Sequence, residues 1–106
     1  MAIQHITDQN FETDVFQNTK PVLVDYWAEW CPPCRAIAPH FEKLANEFQN
    51  VCFAKLNVDE SPNHPAQAGV RGIPTFILYQ KGEEVDRVVG ADLQAIKRML
   101  ENVKIS

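Results

Sequence analysis

Two cysteines three residues apart are the side chains in this chain best suited to chemistry: Cys31 and Cys34, in Trp30-Cys31-Pro32-Pro33-Cys34. Within one helical turn, their Cα atoms can fall inside the range of about 4.4–6.8 Å that a disulfide requires. A helix begins with N–H groups that have no intrahelical acceptor, and the positive end of its dipole lies there. Both favour a thiolate, so Cys31 is expected to have a lowered pKa and to attack disulfides at neutral pH. Cys34, deeper on the helix, can then attack the mixed disulfide and release a reduced product. The Cys34 backbone N–H is the donor best placed to reach the Cys31 sulfur, since Pro32 and Pro33 have none. Prolines suit the first helical positions, where a missing donor costs nothing, and they stiffen the ring in both redox states.

Two other readings of the pair are a structural bond and half of a zinc site. Zinc needs two further ligands. There is no second Cys-x-x-Cys, and His5, His40, His64 and Cys52 are scattered without ligand spacing, so no metal is expected. Three cysteines is an odd count, which does not suit a disulfide-stapled secreted domain. In a reducing cytosol a close pair is more often catalytic or metal-binding than structural.

The chemistry needs a platform. Residues 21–28 are rich in β-formers and read as a strand buried on both faces, as in a parallel sheet. Residues 34–48 read as a helix with Ile37, Phe41, Leu44, Ala45 and Phe48 on one stripe, kinked at Pro39. Residues 3–6 suggest a short first strand, followed by a helix capped by Thr7 or Asp8 and carrying Phe11, Val15 and Phe16. Residues 51–58 form a second buried strand, 59–65 a loop, and 64–69 a short helix ending at Gly69. Residues 75–80 and 85–89 read as strands joined by a hairpin turn at Lys81-Gly82-Glu83. Gly90 ends the second of these, and Asp92 caps a last helix with Leu93, Ile96, Leu100 and Val103 inward. This alternation predicts an α/β mixed sheet with helices on both sides.

The 106 residues fit one domain, 1–106. Apolar residues make up 45% and charged residues 23%, ordinary for a soluble globular chain. The net charge of −4 and the absence of a Lys/Arg run argue against nucleic acid as a partner. No stretch is long enough for a membrane helix, and Met1–His5 lacks the charge and apolar run of a leader. A cytoplasmic location is therefore expected.

Asp25 lies inside the apolar strand six residues before Cys31. Unless it sits exposed on an edge strand, desolvation should raise its pKa toward that of a neutral-pH proton acceptor. Lys55 stands mid-strand among apolar residues, where a snorkelling surface lysine is the bland alternative. Trp27 reads as core rather than contact surface, Cys52 as a small buried hydrophobe, and His40 and His64 as ordinary surface or loop residues.

Four blocks, in order, closely resemble the thioredoxin family over essentially the whole length: residues 22–31, 54–59, 70–76 and 88–91. The resemblance implies the thioredoxin fold, a five-stranded mixed sheet flanked by four helices in three layers. It implies reduction of disulfide-containing client proteins by a monomer, with no bound cofactor. Reducing equivalents would come from NADPH through a thioredoxin reductase. By the same resemblance Asp25 lies beneath the cysteines and takes the Cys34 proton through water, with Lys55 as its partner. Pro74 would follow a cis bond that brings its loop against Cys31, leaving no side chain there for a metal. The Ile73 backbone would pair with an extended substrate strand. Trp30, Pro32, Gly72, Ile73, Gly90 and Ala91 would form an apolar contact rim. One departure stands out: the family's usual Gly-Pro between the cysteines is here Pro32-Pro33. A more oxidising or specialised oxidoreductase or isomerase, and a binding or chaperone subunit on the same fold, are the rival readings.

Overall fold

Val22–Trp27 forms the central strand because β-branched and aromatic side chains there can be buried on both faces at once. The computed structural model describes residues 3–103; residues 1–2 and 104–106, the ends of the expected 1–106 domain, lie outside the described residues. The elements are β1 (Gln4–Ile6), a π-helical turn (Glu12–Phe16), β2 (Val22–Trp27), α1 (Pro32–Glu47), β3 (Cys52–Asn57), α2 (Asn63–Gln67), β4 (Thr75–Gln80), β5 (Glu83–Val89) and α3 (Leu93–Glu101). The sheet order is β1-β3-β2-β4-β5. The first three strands in that order run parallel, and β4 and β5 are added antiparallel. This is the expected five-stranded mixed sheet with four helical segments.

Strand periodicity divides the core into two layers, since neighbouring side chains point to opposite faces. Leu23, Phe53, Phe76 and Leu78 meet Ile37, Phe41 and Leu44 of α1 and Ile96, Met99 and Leu100 of α3. On the other face Val22, Val24, Tyr26, Leu56, Ile77 and Tyr79 meet Phe11 and Val15, with Ala68 and Val70 packed alongside. Asp25 shares the parity of Leu23 and Trp27, so it points into the layer beneath α1.

Several boundaries differ from the sequence expectation. The CxxC helix starts at Pro32 rather than residue 34, because both prolines fit its first two positions. It runs on through Pro39 to Glu47, and Phe48 becomes its half-buried end. The first helix is a π turn closed by the Gln17 N–H donating to the Glu12 carbonyl. Neither Thr7 nor Asp8 caps it: Thr7 exchanges bonds with Asn10. The Asp8 carboxylate instead accepts from the Asn63 and His64 N–H groups at the head of α2. That helix begins at Asn63, inside the expected loop.

The hairpin turn is the residue pair Lys81-Gly82, with φ of 55° and 81°, the two positive values of a type I′ turn. Strand β5 therefore starts at Glu83, two residues early. A register shift opposite Leu78/Tyr79 leaves Val85 without a paired partner on β4 and exposed. Met99, which the expected α3 stripe lacks, is buried beside Leu100.

Asp92 does cap α3, its carboxylate accepting from the Ala95 N–H at 3.1 Å. Replacing it should lower stability through the lost cap without touching the cysteines. Asp92→Ala is expected to lower the unfolding free energy by about 1 kcal/mol in urea titration, with unchanged alkylation of the reduced cysteines. A change below about 0.3 kcal/mol would contradict the capping role.

Candidate active site

The chain leaves β2, turns at Ala28-Glu29-Trp30 and enters α1 with Cys31 as the helix cap. Cys31 is extended (φ −92°, ψ 105°), as a cap residue must be for its side chain to fold back over the first turn. Its Sγ accepts from the Cys34 N–H at 3.3 Å. The two cysteines form a disulfide with Cα atoms 5.3 Å apart. Both are nearly enclosed, at 2% and 3% exposure, against Ala28, Trp27, Val58 and Ile73. The Cys31 Sγ lies 3.8 Å from the Ile73 carbonyl oxygen, so the loop before β4 touches the sulfur itself.

Asp25 is fully buried, and neither carboxylate oxygen has a hydrogen-bond partner among the described residues. Burial disfavours the anion and pushes its pKa up to about 7, against the opposing pull of Lys55. Lys55 is the register partner of Asp25 across β2 and β3. Its ammonium sits 4.4 Å from the centre of the Trp27 ring, a cation–π contact. The lysine thus acts on the carboxyl as a nearby charge, while the indole takes the direct contact. Trp27 is half-buried over the disulfide, and its Nε1 is also buried without a hydrogen-bond partner among the described residues.

The substrate-contact residues named from the sequence do not all meet. Trp30, Gly72 and Ile73 line one groove of about 300 Å³ together with Val58, Pro65, Val70 and Arg71. Trp30 is 66% exposed. The Ile73–Pro74 peptide is cis, and the Pro74 carbonyl accepts from the Gly90 N–H at 2.8 Å, which ties the end of β5 to this loop. Gly90 has φ +99°, a conformation that disfavours a side chain. Pro32 and Ala91 are exposed but stand outside that groove.

Sequence reasoning missed the residues that hold the rim in place. Asp59 accepts from the Trp30 indole at 2.8 Å, and Thr75 donates from its hydroxyl to the Gly72 carbonyl at 2.5 Å. Both lie within the blocks shared with the family, but nothing in their type or spacing marks them as props. Two expectations need correction. Cys52 is half-buried rather than core, because it opens β3 at the sheet margin, where the Asn18 amide reaches its sulfur. His64 is no ordinary loop residue: it stacks on Phe11 with ring centres 3.5 Å apart and bonds to Tyr26 at 2.7 Å. A five-residue helix shows too little periodicity to reveal which of its side chains face inward.

The comparisons agree with this geometry. The family model described as Thioredoxin matches residues 2–102. A thioredoxin of Acidithiobacillus ferridurans is 50% identical over 91 residues, covering 85% of this chain and 84% of that protein. One from Streptomyces clavuligerus is 47% identical over 94 residues, covering 89% and 88%. Among solved structures, thioredoxin of Plasmodium falciparum superposes with a TM-score of 0.90 at 33% identity, over 96% of this chain and 100% of that one. With its disulfide at the head of α1, this chain belongs to the thioredoxin family and is a thiol–disulfide oxidoreductase.

Proposed function

We propose that the protein reduces disulfides in client proteins as a cytoplasmic monomer of one domain spanning residues 1–106. One observation carries the reading: the Cys34 N–H directed at Cys31 Sγ at the start of a sixteen-residue helix. In the dithiol form that donor and the helix N-terminus hold Cys31 as a thiolate.

The Cys31 thiolate attacks one sulfur of the client disulfide. A Cys31–client bond forms, the client S–S bond breaks, and the first client sulfur leaves as a thiolate. Asp25, ionised, takes the Cys34 proton. Cys34 then attacks the Cys31 sulfur, closing the ring and expelling the second client thiolate. The client gains two electrons, and the protein is left in the oxidised form described above. A thioredoxin reductase returns the electron pair from NADPH, so no bound cofactor is needed.

Lys55 tunes Asp25 by charge. Ile73 presents its backbone to the client chain, beside Trp30, Gly72 and the Pro74 turn; Pro32, Gly90 and Ala91 extend this contact surface. A more oxidising or specialised role is the rival reading, raised by Pro32 where the family usually has glycine. Equilibration with glutathione separates the two. A potential well above the cytosolic poise of roughly −220 to −320 mV would favour the oxidant.

Reduced protein supplied with NADPH and a thioredoxin reductase is expected to reduce insulin disulfides catalytically. Cys34→Ser should instead accumulate a covalent complex with the client through Cys31, visible on a non-reducing gel. Turnover without Cys31, in Cys31→Ser, would contradict the scheme.

Asp25 makes a second prediction. Its pKa is near 3.8 when exposed and about 7 in the fold. A raised carboxyl pKa leaves stability intact below pH 4. Stability then falls as pH climbs through 7, because only the unfolded chain ionises freely. The loss should approach the order of 4 kcal/mol in alkaline solution. Asp25→Asn is therefore expected to be more stable than the parent when oxidised at pH 8–9, and equal to it below about pH 4. The same variant should turn over at least ~10-fold more slowly, since the Cys34 proton has lost its acceptor. Equal stability at high pH, measured by urea unfolding, would show that the fold does not raise the carboxyl pKa.

A further inference from the structure

Helix α2 is five residues long, far too short to hold itself together. Yet it supplies one wall of the groove beside the disulfide. Pro65 belongs to it, and the Pro65 carbonyl accepts from the Val70 N–H at 2.9 Å. Pro65 and Val70 thus move with α2, and both line the groove facing Trp30. The position of α2 sets the width of that groove.

Three attachments fix α2. Asp8 accepts from its first N–H groups at 3.1 and 2.8 Å. Arg87, from β5, donates to the carbonyls of Ala68 and Gly69 at its far end, at 2.7 and 3.3 Å. Between these, His64 reaches through the aromatic layer to the sheet. Its Nε2 is 2.7 Å from the Tyr26 hydroxyl, which is 2.6 Å from the Tyr79 hydroxyl. Tyr26 is fully buried and Tyr79 nearly so. A buried hydroxyl is expensive to leave without an acceptor. The chain in which both tyrosines donate runs from Tyr79 to Tyr26 to His64 Nε2, and it ends only if Nε2 carries no proton. Burial favours that neutral form, lowering the imidazole pKa to about 4 against the pull of Asp8.

We propose that His64, Tyr26 and Tyr79 are positioning residues that set the α2 wall of the groove and so govern the binding of bulky protein substrates, without acting on the reaction at Cys31. The inference rests on the disulfide-reductase reading above. It predicts a separation of binding from chemistry. The chemistry rests on Cys31, Cys34 and Asp25, with Lys55 beside the carboxyl, whereas the polar chain lies on the opposite face of the sheet from Asp25.

The test compares the parent with His64→Leu, His64→Gln and Tyr79→Phe, using insulin as the protein disulfide and dithionitrobenzoate as a small one. For His64→Leu, the KM for insulin should rise about threefold or more with kcat within about twofold, and the rate with dithionitrobenzoate should hold within about twofold. Gln can still offer an acceptor to Tyr26, so His64→Gln should restore the KM to within about twofold even if its melting temperature falls. Tyr79→Phe keeps the ring and loses only the hydroxyl; it should raise the KM less than His64→Leu does. It also carries the test if the leucine variant does not fold. An unchanged insulin KM in the folded variants, or parallel losses with both substrates, would overturn the proposal while leaving the reductase reading intact. A parent protein inactive on insulin would bring down the reductase reading, and this inference with it.

Discussion

The first turn of a helix cannot satisfy its own N–H groups, and in this protein the sequence leaves one donor there for a sulfur. Proline at positions 32 and 33 removes two N–H groups outright. The next one, from Cys34, points at Cys31 Sγ. The elements around it keep that arrangement in place. The strand β2 aims the chain at it, and the layer of Ile37, Phe41 and Leu44 anchors α1 to the sheet behind it. The loop before β4 closes over it from the other side, bringing the Ile73 carbonyl to 3.8 Å from the sulfur.

The central sheet carries two polar arrangements, one on each face, and they are handled in opposite ways. Tyr26 and Tyr79 are buried but joined in a hydrogen-bonded chain with His64, so their burial holds the fold together. Asp25, one residue from Tyr26, is buried without any such partner among the described residues. A carboxyl left in that condition destabilises the fold when ionised. A group held near neutrality exchanges protons readily at physiological pH, which a stabilised carboxylate would not. Side-chain alternation puts these adjacent residues on opposite faces of one strand, and His64 and Tyr79 stand on the face of Tyr26.

Most of the framework was legible because it rests on period and chain order. Residues 21–28 and 75–80 carry enough apolar β-formers to be read as strands without help, and the CxxC stands at a strand-to-helix junction that local rules identify. The parts that were not legible depend on contacts between distant residues. Asp8 looks like a cap for the segment that follows it, but it caps a helix more than fifty residues away. His64 has only the small Ala68 at helical spacing, too weak a stripe to place the imidazole against Phe11 and Tyr26. The site was read further than the residues alone allow, through shared blocks: Pro74 and Ile73 have no chemical signature of their own. Asp59 and Thr75, which brace the rim, sit in those same blocks, yet their partners Trp30 and Gly72 become visible only in three dimensions.

The whole account stands on the ionisation of one thiol. The pH dependence of the thiolate absorbance near 240 nm, followed in fully reduced protein and in Cys34→Ser, measures it directly. A Cys31 transition clearly below the value of about 8.5 for a free cysteine is the result expected for a sulfur held at a helix N-terminus. A transition at or above that value would mean the Cys34 N–H and the helix do not stabilise the anion, and the proposed attack on client disulfides would lose its physical basis.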